Sequence, residues 1–189
     1  MTMGIEEMDR RSIGERLLRT AGDLDILTDD LEETVALWIS GEADDDDMRD
    51  AVVTEILDGF EFRTEVSVNV SCCCDDFFDM KLEEGFRDDE EIRRYLKENG
   101  SEILPMMIRT FSFGFSIIVI MEDLGMHEDA KAFAKQLADV IDADIERKAF
   151  FDAFVLDCLG HISSSIRRSL RDDDPAGWMV CDPDAQESG

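Results

Sequence analysis

Thr64-Glu65-Val66-Ser67-Val68-Asn69-Val70-Ser71-Cys72-Cys73-Cys74-Asp75-Asp76-Phe77-Phe78-Asp79-Met80-Lys81-Leu82-Glu83 decides the fold class, because its two halves point to different structures. From Thr64 to Ser71 the residues alternate with period two and are rich in valine, the pattern of a half-buried strand. Wound as a helix, the whole stretch sorts into two faces. Glu65, Asn69, Cys72, Asp75, Asp76, Asp79 and Glu83 gather on one side, while Val66, Val70, Cys73, Cys74, Phe77, Phe78, Met80 and Leu82 fill the other. Only Val68 and Lys81 are out of place. A strand accounts for half of the segment and a helix for nearly all of it, so the period predicts a helix.

Helix signals continue on both sides. Asp88 to Asn99 carries Ile92, Tyr95 and Leu96 and ends at Gly100. Ser101 and Pro105 then open a segment, about 102–124, that is apolar nearly all round apart from Pro105, Arg109, Ser112, Ser116 and Asp123. Such a helix belongs at the centre of a protein, and an embedded Arg109 calls for a carboxylate partner. Its uninterrupted run, Thr110 to Met121, falls well short of the ~20 residues that span a bilayer. Upstream, Ser12-Ile13-Gly14-Glu15 has the form of a capping box. Thr28-Asp29-Asp30 and Asp44 to Asp47 each place carboxylates where a helix dipole favours them. Downstream, one helix starts near His127 and a long one runs from Phe150 to Leu170, ending in Arg167, Arg168 and Arg171. The expected fold is all-α: a compact multi-helix bundle of about six to eight helices around the central apolar helix. One domain covers 1–171, and 172–189 reads as a short, flexible acidic tail.

The chain has 189 residues, of which 47 are acidic and 19 basic, a formal net charge of −28. A surface this negative repels nucleic acid and anionic membranes and attracts basic partners. It also suits a cytoplasm with concentrated salt, which screens the repulsion. The apolar fraction of 44 % and 12 Phe exclude a disordered acidic chain. Met1 to Glu7 show neither the basic nor the apolar region of a secretory signal. Five cysteines, three of them adjacent, do not form a disulfide framework, so the expected location is cytoplasmic.

Residues suited to chemistry are few. His161 follows Asp157 by four positions and Cys158 by three, spacings that share a helix face, so Asp157, Cys158 and His161 are the candidate metal or proton-relay residues. A complete metal site needs three or four recognisable ligands, and the plainer expectation is a part-buried histidine bonded to Asp157. Asp75, Asp76, Asp79 and Glu83 read as a solvated face. No phosphate-binding loop or nucleophile-elbow motif occurs, and no cofactor is expected. Trp178-Met179-Val180, an apolar triplet in an acidic stretch, is either a partner-docking motif or a segment tucked onto its own domain.

These features lead to a non-enzymatic, cytoplasmic protein acting through protein contacts, regulatory or chaperone-like, from a salt-adapted proteome. One alternative is a polyanion mimic that inhibits a basic nucleic-acid-binding protein. A second is a metal-dependent helical enzyme using Asp157, Cys158 and His161. A protein partner, basic in character, is expected; direct nucleic-acid or membrane binding is not, and homodimerisation through the central helix stays open.

Overall fold

The structure, a computed structural model, describes residues 7–58, 60–147 and 152–180. Among them every regular element is helical and no strand occurs. The α-helices are α1 (Glu7–Asp23), α2 (Asp29–Ser40), α3 (Asp45–Ala51), α4 (Phe62–Glu83), α5 (Asp89–Asn99), α6 (Leu104–Thr110), α7 (Ser112–Asp123), α8 (His127–Arg147) and α9 (Ala153–Arg171). No single helix among the described residues is long and apolar enough to cross a membrane.

Where the sequence suggests one domain, the chain divides into two compact units. Unit 1 holds the chain up to Glu61 together with Phe113–Phe133; unit 2 holds Phe62–Ser112 and the chain from Ala134 onward.

In unit 1, α1 packs on α2 through Gly14, where a Cβ would come within 2.8 Å of Val35 Cγ1. Thr28 caps α2 by accepting from the Leu31 N–H at 3.1 Å. Asp44 and Asp47 form a reciprocal capping box at the start of α3, which satisfies backbone donors that the helix leaves over. Ser12, by contrast, caps nothing. α1 begins at Glu7 and Ser12 lies within it, because the residues before it are good helix formers. The fully buried Trp38 donates its indole N–H to Asp45 at 2.8 Å, and Arg10 bonds the same carboxylate at 2.8 Å. After α3 the chain winds as a π-helix over Val52–Leu57, which ends with Asp58 N–H donating to the Val53 carbonyl at 3.0 Å. Phe60 then meets Phe113 and Phe133, with ring centroids 5.6 and 5.3 Å apart.

In unit 2, α4 settles the competition between strand and helix. Val66, Val70, Cys73, Phe77 and Phe78 are buried; Asp75, Asp76, Asp79 and Glu83 are exposed. Both misfits fall where the period puts them. Val68 is 52 % exposed, whereas Lys81 is buried. The Lys81 ammonium pairs with Glu84 and Glu102 at 2.8 and 3.0 Å, and the rings of Phe77, Phe86 and Tyr95 lie within 6 Å of it. A buried cation is tolerated when paired in this way.

The segment read as one central helix is helical but not continuous. A 3-10 turn over Gly100–Ile103 leads into α6, and the helix breaks at Phe111, whose φ of −85° and ψ of 11° depart from α geometry. α6 belongs to unit 2 and nearly all of α7 to unit 1. α7 buries Phe113, Gly114, Ile117, Ile118, Ile120 and Met121, as its composition requires. Arg109 sits on the exposed side of α6, at the surface, so its charge needs no buried carboxylate.

α8 and α9 are tied by Ser163, which donates to Asp142 at 2.5 Å, and by Arg167, which pairs with Asp142 at 2.5 Å and with Asp139 at 2.8 Å. α9 closes in a Schellman turn. Asp173 adopts φ 58°, its N–H donates to the Leu170 carbonyl, and the Asp174 N–H donates to the Ser169 carbonyl. A 3-10 turn, Gly177–Val180, packs back on α9. Residues 172–180 of the expected tail are therefore folded; 181–189 lie outside the described residues, as do Phe150 and Phe151.

Candidate functional site

Two concavities stand out, one in each unit. The larger is a cleft of about 530 Å³ in unit 2, between the C-terminal half of α5, the 3-10 turn after it and the first turns of α9. Gly100 makes the close approach possible, because a Cβ there would lie 2.8 Å from Phe154 Cβ. The Sγ of Cys158 points to the Gly100 carbonyl at 3.7 Å. Leu96, Leu104, Ala153 and Phe154 supply the apolar lining.

Asp157, Cys158 and His161 all line this cleft. Asp157 and His161 are exposed and make no hydrogen bond to each other, while Cys158 is buried. Among the described residues no three His, Cys, Asp or Glu side chains come together as a metal-holding group. Burial pushes the Cys158 thiol up to about 12, and the Asp157 carboxylate adds to the effect. Burial first, and then neighbouring Cys73, raise Cys74 to about 11. At neutral pH both are thiols rather than thiolate nucleophiles.

The basic groups of the cleft were missed by the sequence reading. Arg93 forms an ion pair with Asp152 and lies over the Phe78 ring, 5.1 Å from its centroid. Lys97 is exposed and forms no ion pair among the described residues, whereas Lys81, Lys131 and Lys135 each hold a carboxylate. α9 itself starts with no side-chain cap from Asp152 and no acidic residue in its first turn.

The second concavity is a groove of about 470 Å³ in unit 1, along α2, α3 and the π-helical segment. Leu37, Ala43 and Ala51 form its apolar part, and Asp30, Glu42, Asp47, Asp50 and Glu55 surround it. No basic residue lines it. Some of these carboxylates have structural duties: Asp47 belongs to the capping box of α3, and Glu55 accepts from the Thr28 hydroxyl at 2.9 Å. Asp30 and Asp50 have no side-chain partner among the described residues. Leu37 is 37 % exposed at the rim, an apolar contact available to a partner.

Comparison with known proteins brings no match to a family model, to a curated protein or to a solved structure. Both sites are therefore read from their own chemistry. In the apolar triplet near the end of the described residues, Trp178 is 3 % exposed and turned inward, and Met179 is half-buried. Of the two roles open to Trp178-Met179-Val180, Trp178 takes the one of filling its own unit; Val180 ends the 3-10 turn.

Proposed function

We propose that this is a non-enzymatic, acidic helical protein that works through contacts with a basic protein partner, and that the groove of unit 1 receives that partner. The observation that supports the reading is the groove's chemistry: an apolar part formed by Leu37, Ala43 and Ala51, surrounded by carboxylates, with no cation among its lining residues. A Lys/Arg-rich amphipathic segment is complementary to it, its apolar face meeting Leu37 and Ala51 and its charges meeting Asp30 and Asp50. The reading places the protein in the cytoplasm, and the net charge of −28 suits a salt-adapted host. The Cys158 thiol of the unit 2 cleft, raised by burial to about 12, is a poor nucleophile at neutral pH, which favours binding over catalysis there.

The experiment is a fluorescence anisotropy titration of the full chain against a Lys/Arg-rich amphipathic helical peptide. Its controls are a scrambled peptide of equal charge and a duplex DNA competitor. Saturable binding that weakens with KCl and falls in an Asp30→Asn/Asp50→Asn variant supports the groove. Equal binding of the scrambled peptide reduces the effect to non-specific charge attraction and sinks the reading.

A further inference from the structure

We propose that the cleft of unit 2 binds a small amphipathic organic anion, an apolar body carrying one carboxylate. The proposal does not rest on the partner groove, which is built from other residues in unit 1. The cleft's volume of about 530 Å³ lies within the range of small-molecule sites. Its interior is apolar, formed by Leu96, Leu104, Phe154 and the buried Cys158. Water in such a cleft is readily displaced by hydrocarbon.

The polar groups set the charge of the ligand. Arg93 and Asp152 pair with each other and cancel. Lys97 is left with no carboxylate of its own in a chain with 47 acidic residues. His161 stands at the same opening without a hydrogen-bond partner among the described residues. The first turn of α9 also faces this region without an acidic residue, whereas α2, α3 and α5 each carry three in theirs. A carboxylate beside Lys97 thus pairs with the cleft cation that holds no carboxylate of its own, close to the N-terminus of α9. Asp157, also at the opening, disfavours a second negative charge on the ligand.

Isothermal titration of the full chain with sodium octanoate tests the assignment, with octylammonium and 1-octanol as charge controls. A single saturable site for octanoate is expected. Lys97→Gln should weaken it roughly tenfold or more, the effect of losing one charge-assisted contact. Ala153→Phe should abolish it by filling the cleft. Both substitutions fall at exposed positions, so unchanged melting curves will show that the fold is intact. No octanoate binding, equal binding of octylammonium or octanol, or octanoate affinity untouched by both substitutions overturns the proposal.

Discussion

The groove of unit 1 and the cleft of unit 2 enclose similar volumes, about 470 and 530 Å³, and treat helix ends in opposite ways. Around the groove, α2 and α3 begin with side-chain caps, the Thr28 hydroxyl and the Asp44 carboxylate, that accept from their own first-turn N–H groups. At the cleft, Asp152 turns away from its helix to hold Arg93, and α9 starts without a side-chain cap. The same demand of the backbone is met internally in one place and left to the surroundings in the other. A net charge of −28 therefore does not make the surface uniform: local chemistry depends on which carboxylates already have a task.

The sharpest way to break the comparison is to remove what builds each concavity. Trp38→Ala should destabilise unit 1 by about 3–5 kcal/mol, since it empties a fully buried indole site and removes the indole hydrogen bond to Asp45. Denaturant melts measure this loss, and the groove should lose peptide binding with it. Gly100→Ala should cost about 1–3 kcal/mol, because the added methyl meets Phe154 Cβ rather than a flexible side-chain end. It should narrow the cleft while leaving basic-peptide binding at the groove unchanged; a shift in both would show that the two sites are not separable.

A smaller effect comes from Glu102, held below the ordinary carboxylate range by the Tyr95 hydroxyl and then by Lys81. Because its folded value lies below its unfolded one, its stabilisation is complete above about pH 4.5 and fades as pH falls through the folded value. Glu102→Gln should cost about 1 kcal/mol at pH 7, after discounting for its partial exposure, and nothing at the acid end. Melting curves of both proteins between pH 7 and 3 test the convergence. Asp30→Asn/Asp50→Asn should change stability least, within about 0.5 kcal/mol, as expected of surface positions without partners. Any larger loss would mean that these carboxylates serve the fold rather than a ligand.

Elements governed by local rules were legible in the sequence. The 3.6-residue period of α4 outweighed the short alternation at Thr64–Ser71, and even its misfits, Val68 and Lys81, fell on the sides the period assigns. Thr28, Asp44 and Asp88 cap the helices they precede. The cleft was half legible: Asp157, Cys158 and His161 share a helix and a spacing, but Lys97 and Gly100 come from α5 and the turn after it. The Gly100–Phe154 approach, the Cys158 contact to the Gly100 carbonyl and the Arg93–Asp152 pair bring them together, and no local pattern encodes contacts across that distance in the chain. The break at Phe111 was hidden for a related reason. Composition reports that a segment is apolar, not that its two halves serve different cores. Arg109 misled because a segment apolar nearly all round reads as buried on every side, whereas its polar stripe of Pro105, Arg109 and Ser112 is exposed.

The interleaving of the two units has a consequence for synthesis. Phe60 is made early, yet the rings it packs against, Phe113 and Phe133, emerge only after all of Phe62–Ser112. Unit 1 therefore cannot finish folding on the ribosome in the order in which it is translated, and a fragment ending at Glu61 would carry an aromatic cluster with one member. Neither unit can be excised as a continuous stretch, so a protease cut between them or a stop codon near residue 112 would leave two incomplete cores rather than one intact unit.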